Sequence, residues 1–149
     1  MKKTVTWIFI GDGARARIVR NDGPGKGLVA ALNHEFVQPL QATRDLGADR
    51  PASRGGGAGA ARHGVQPRAD WHELDKQAFA AEMAKLLTAA AARNKFDRLV
   101  LVAPPKVLGT LRRRLGRQAS QRITADCPKD LTHVALHDLP RHLQRLILI

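Results

Sequence analysis

Two groups of residues could do chemistry, and both are built around arginine. The first is Gly55-Gly56-Gly57-Ala58-Gly59, which lies between Arg54 and Arg62-His63, with Arg50 just upstream. Glycines let backbone amides come close to a phosphate or a crowded RNA surface. No Gly-Lys-Ser/Thr follows, and the stretch does not join a strand to a helix, so it is neither a P-loop nor a dinucleotide fingerprint. A flexible linker has the same composition; a binding loop ordered by its partner is the sharper reading. The second group is Lys106, Arg112, Arg113, Arg114 and Arg117 on an expected helix over 106–120. The arginines span about half the circumference of such a helix, flanking Leu108, Leu111 and Leu115, and can lie along a phosphate backbone. A guanidinium grips phosphate through two hydrogen bonds and stacks on bases, which an ammonium cannot do. A merely solvated helix face is the alternative.

Other residue types offer less. Asp12, Asp97 and Asp126 fall near expected strands, but two-metal chemistry needs carboxylates converging within a few ångströms. Asp97 sits at the wrong end of its strand for that. His133 and His137 are four apart, yet no HExxH and no cysteine partner accompanies them. Ser53 and Ser120 have no evident His/Asp partners, and Cys127 beside Pro128 reads as a small apolar residue. The sequence therefore points to no catalytic residue, metal ligand or cofactor.

The charge distribution agrees with binding. Of 149 residues, 25 are Lys or Arg against 13 Asp or Glu, a formal net charge of +12. Residues 41–69 carry Arg44, Arg50, Arg54, Arg62 and Arg68 against Asp45 and Asp49. Residues 104–122 carry Lys106, Arg112, Arg113, Arg114, Arg117 and Arg122 with no acid. Most of the excess thus lies in two stretches, and such clustering is costly unless it serves solubility or an anionic partner. A hydrophobic content of 44% is enough for a core and argues against wholesale disorder. The single cysteine excludes an internal disulfide framework. No apolar run reaches the length of a membrane span. The Lys2-Lys3 start with apolar residues to Ile10 is too short for a signal peptide and reads as a strand, which implies a cytoplasmic protein.

The elements that must position these residues follow from periodicity. Thr4–Ile10 is a buried strand. Gly11-Asp12-Gly13 is a turn into an alternating strand, Ala14–Arg20, completing a hairpin. A Gly/Pro turn leads to a third strand over Leu28–Phe36. Residues 41–69 show no period and form a long basic loop. Asp70 and Glu73 resemble a capping box for a helix carrying Phe79, Met83, Leu86, Leu87 and Ala90 inward to about Arg93. Asp97–Ala103 is a strand covered on both faces, followed by the 106–120 helix, a strand at Ile123–Cys127, and a last helix from Asp138. The order βββ-αβαβα gives one α/β domain over 1–149, a mixed five-stranded sheet flanked by helices.

Several segments together resemble the bacterial host-attachment protein family. They are Trp7, Asp12-Gly13-Ala14-Arg15-Ala16-Arg17, Asp49-Arg50-Pro51, Arg62-His63, Leu99 through Pro105, Leu108-Gly109-Thr110-Leu111-Arg112 and Lys129-Asp130-Leu131-Thr132. That name describes a phenotype rather than a biochemical activity. The family is similar in turn to the middle domain of archaeal and eukaryotic peptide release factors and of Pelota, a ribosome-rescue factor. The resemblance implies a ribonuclease H-like fold without nuclease chemistry. Release factors carry Gly-Gly-Gln in a loop comparable to 41–69; here Ala58 follows the three glycines and the next Gln is Gln66. The resemblance therefore implies RNA or ribosome association without peptidyl-tRNA hydrolysis. Two further readings stand beside it: a host-attachment or signalling factor binding a protein or an anionic surface, and a metal-dependent nuclease or hydrolase.

Overall fold

A computed structural model describes residues 3–32, 35–38, 65–147 and 149, with backbone alone over 65–72. Strands β1 (Thr6–Gly11) and β2 (Arg15–Asn21) form the expected hairpin, with Thr6 opposite Asn21 and Gly11 opposite Ala16. Gly11 is required at that corner, because a Cβ there would stand 2.7 Å from the Phe9 ring. The Asp12 carboxylate closes the turn by accepting the amides of Ala14 at 2.7 Å and Arg15 at 2.8 Å.

The third strand expected over Leu28–Phe36 is not continuous. Two two-residue strands, β3 (Val29–Ala30) and β4 (Phe36–Val37), each pair with β2, so the sheet has six strands rather than five. Ala30 and Ala31 bring little β-forming surface to hold a longer strand. The basic loop of the sequence reading, as far as residue 64, lies outside the described residues.

Helix α1 runs from Val65 to Ala92 and so begins five residues before Asp70. Asp70 therefore lies inside the helix rather than at its N-cap position, and Pro67 is tolerated because it falls in the first turn. The inward stripe is as expected: Phe79, Met83, Leu87 and Ala90 are buried, with Leu86 partly so. Strand β5 (Arg98–Val102) lies parallel to β1, and β6 (Ile123–Cys127) lies parallel to β5, giving the order β3-β2-β1-β5-β6 with β4 also on β2. Thr124 is an extra residue at a bulge in β6.

The expected single helix over 106–120 is two helices, α2 (Pro105–Arg114) and α3 (Arg117–Gln121). Leu115 and Gly116 are extended between them. The break has a packing cause: the Gly116 amide donates to Thr88 Oγ1 at 3.0 Å, and α1 lies so close that a Cβ on Gly116 would meet Thr88 Cγ2 at 2.7 Å. Leu115 and Ala119 are both buried against α1 by this kink. The chain ends in a 3₁₀ turn (Leu136–Asp138) and α4 (Leu139–Leu143), shorter than expected. Asp138 occupies the cap position but makes no side-chain cap hydrogen bond.

The sheet separates two cores. Trp7, Phe9, Ile18, Leu99 and Leu101 face α1, α2 and α3. Ile8, Ile10, Val19, Val100 and Val102 face Leu131, Leu139 and Leu143. Fully burying a side chain of this size contributes about 1.5–3 kcal/mol. Strands covered on both faces must read as continuous apolar runs, which is why Trp7–Ile10 and Leu99–Val102 do.

Candidate basic binding face

The kink sets the geometry of the arginines. Thr110 and Leu111 are buried on α2, which forces Arg112, Arg113 and Arg114 outward in its last turn. There their charges also complement the negative end of the helix dipole, a structural reason for basic residues. Arg117 opens α3 beyond the break.

The four arginines are not equivalent. Arg112 is ion-paired with Asp126 of β6. Arg113 Nη2 donates to Thr110 Oγ1 at 3.3 Å, and that hydroxyl itself donates to the Lys106 carbonyl at 3.3 Å. Arg114 and Arg117 are exposed, and among the described residues nothing hydrogen-bonds or ion-pairs with their side chains. Lys106, two turns away at the start of α2, is 3.8 Å from Glu73 Oε2 with its side chain 84% exposed. Arg113, Arg114 and Arg117 thus flank the corner where α2 gives way to α3, and Lys106 stands apart at the start of α2. Arg50, Arg54, Gly55, Gly56, Gly57, Arg62 and His63 lie outside the described residues. Asp126 was legible as a carboxylate near a strand, but its role as the partner of Arg112 depends on β6 lying beside α2, which no local pattern reveals.

Arg122 belongs to the same basic stretch of sequence yet serves the fold. Its guanidinium donates to the carbonyls of Ala91 and Phe96, each at 2.9 Å, and to Asn94 Oδ1 at 3.0 Å, and lies 6.0 Å from the Phe96 ring centre. Arg17 acts similarly, donating to the carbonyls of Leu131, at 3.1 Å, and Val134. Burial lowers its pKa, partly opposed by the charge of Glu35.

The carboxylates are dispersed. Asp12 closes the hairpin turn, Asp97 accepts the Val5 amide at 2.8 Å, and Asp126 holds Arg112. Among the described residues no three His, Cys, Asp or Glu side chains gather as metal ligands. A cleft of about 580 Å³ opens at the carboxyl ends of β1 and β5, with Asp12, Glu73 and Asp130 facing Lys76 and Lys106. Burial raises the Asp130 pKa, but the Thr132 hydroxyl and amide, with the charges of His133 and Arg15, outweigh it and hold the carboxyl below its ordinary value.

The described residues form a mixed α/β sheet flanked by helices, with exposed arginines where α2 meets α3. The model of a family described as proteins required for attachment to host cells matches residues 7–143, and the chain belongs to that family. No curated protein matches the sequence. The family's description favours the attachment reading of the sequence over the RNA reading. No described helix is long and apolar enough to cross a membrane.

Proposed function

We propose that the protein is a non-enzymatic attachment factor that binds an anionic surface through the corner formed by Arg113, Arg114 and Arg117. The observation carrying this reading is that Arg114 and Arg117 are exposed guanidiniums with no acidic partner among the described residues. Membership of the attachment family supports it. Guanidiniums on a rigid helix pair suit sulfate, phosphate or carboxylate groups repeated along a surface. The test is binding to an immobilised sulfated polysaccharide across a salt series. The Arg113→Gln/Arg114→Gln/Arg117→Gln variant should lose affinity about tenfold or more and show a shallower salt slope. Equal retention of both proteins removes the corner from the proposal.

A second reading, RNA or ribosome association, is favoured by the use of arginine alone on this corner, since guanidiniums also stack on bases. The hairpin followed by parallel strands on helical crossovers is compatible with a ribonuclease H-like, release-factor-related plan. Partners recovered with the native protein decide between the readings: loss after ribonuclease treatment supports RNA, and retention supports attachment.

A further inference from the structure

The face of the sheet opposite α1 changes character at its amino end. Along β1 the residues on that face run Ile10, Ile8, Thr6, and along β5 they run Val102, Val100, Arg98. Thr6 lies directly opposite both Asn21 of β2 and Arg98 of β5. A polar row therefore crosses three strands where a further apolar row would have completed the core. Thr6 and Asn21 are only 3% and 2% exposed. Burying polar groups is unfavourable unless they have partners.

Asn21 is accounted for. Its Nδ2 donates to the Gly27 carbonyl at 2.9 Å and its Oδ1 accepts the Gly23 amide at 3.1 Å, which shapes the turn after β2. Thr6, Arg98 and Arg145 are different, because no hydrogen bond or ion pair among the described residues engages their side chains. All three line a cavity of about 380 Å³, with Thr4 and Thr124 beside them and the chain at 144–147 across it. That chain end is fastened by the Gly25 amide donating to the Ile149 carbonyl at 2.9 Å. Among the described residues no acidic side chain lines the cavity. The two acids adjacent in sequence are engaged elsewhere: Asp22 with Arg20 at 3.0 Å and Lys3 at 3.8 Å, and Asp97 with the Val5 amide.

We infer that this cavity is a binding site for a compact oxyanion, a phosphate or sulfate group carried on a small polar molecule. Arg98 and Arg145 both line it, and a guanidinium can donate two hydrogen bonds to a tetrahedral oxyanion. Thr6 lines the same cavity and brings a hydroxyl that can donate to such a group. The volume lies at the lower end of small-molecule sites, so the ligand is sugar-sized rather than polymeric. The cavity lies at the amino ends of β1, β5 and β6 and shares no residue with the Arg113–Arg117 corner, so the inference is independent of the attachment reading.

The experiment is titration of the full chain, followed by amide NMR, with inorganic phosphate, ribose 5-phosphate and inorganic sulfate in parallel. Binding should perturb amides around residues 4–6, 98, 124 and 144–147. Arg98→Gln and Arg145→Gln, both at exposed positions, should each weaken it about tenfold, and Thr6→Val should weaken it without lowering the melting temperature. Arg114→Gln should leave it unchanged. Response to phosphates alone or to sulfate as well supports the site and names its preferred oxyanion. The inference is overturned if none of the anions binds up to about 10 mM, if Arg98→Gln and Arg145→Gln bind like the parent, or if Arg114→Gln abolishes the same signal.

Discussion

Arg112 on the last turn of α2 is ion-paired with Asp126 on β6, so one of three consecutive arginines is neutralised before any partner arrives. The pair is partly exposed, with side chains 56% and 26% accessible, and contributes little to folding. Its consequence is for binding, because it places a carboxylate at the margin of the cationic corner.

Asp126→Asn should release Arg112 and tighten binding to a sulfated polysaccharide about two- to fivefold, with a salt slope steeper by about one. Arg112→Gln/Asp126→Asn removes both charges and should bind like the parent. Measurement across a salt series separates the cases. An Asp126→Asn protein weaker than the parent would mean that the carboxylate orients Arg112 for its partner rather than masking it.

Arg122 should behave as a fold residue. Arg122→Ala takes the side-chain donor from the Phe96 carbonyl, leaves the Ala91 carbonyl with the Asn94 amide alone, at 2.9 Å, and removes the contact with Phe96. A loss of about 2–4 kcal/mol is expected in chemical denaturation, and Arg122→Lys should not restore it, since one ammonium cannot reach the same three acceptors. Polyanion affinity of the folded fraction should stay unchanged. A destabilisation below about 0.5 kcal/mol would show these bonds to be replaceable by water.

What the sequence disclosed and withheld follows from the range of each signal. The apolar runs Trp7–Ile10 and Leu99–Val102 announced doubly covered strands, and the Phe79–Met83–Leu87 spacing announced the helix, because burial imposes local periodicity. The Leu108, Leu111, Leu115 and Ala119 spacing extended one helix across Gly116, because nothing local reports that Thr88 takes the Gly116 amide. Arg112, Arg114 and Arg122 look alike in sequence; only the positions of Asp126, Ala91 and Phe96 distinguish them. The polar end row was visible as Thr6 ahead of Trp7–Ile10 and Arg98 ahead of Leu99–Val102, but its meaning depended on the register that sets them opposite each other.

The Gly116–Thr88 contact carries a stability prediction. Gly116→Ala sets a methyl against Thr88 and should cost about 1–3 kcal/mol, while Thr88→Ala makes room but removes the acceptor of the Gly116 amide. The two changes share one contact, so the double variant should be less destabilised than the sum of the singles. Additive losses in denaturant titrations would place the strain of Gly116→Ala elsewhere.

Asp130 supplies a pH dependence whose sign is fixed by the direction of its shift. Its Oδ1 accepts the Thr132 amide at 2.9 Å as well as the Thr132 hydroxyl. Burial pushes the carboxyl up, but these bonds and the charges of His133 and Arg15 leave it below its ordinary 3.8. The folded chain therefore holds the ionised form more firmly than the unfolded chain does. The resulting stability is present above the ordinary carboxylate range and is lost as pH falls through it. The site is exposed, so the contribution is small. Asp130→Asn should cost less than about 1 kcal/mol at neutral pH. The gap between the two proteins should close as pH falls through the carboxylate range, where the parent's own carboxyl becomes protonated. Thermal melts of both proteins from acid to neutral pH check this. A gap that stays constant down to the acid limit would assign the effect of Asp130 to the shape of the turn rather than to its charge.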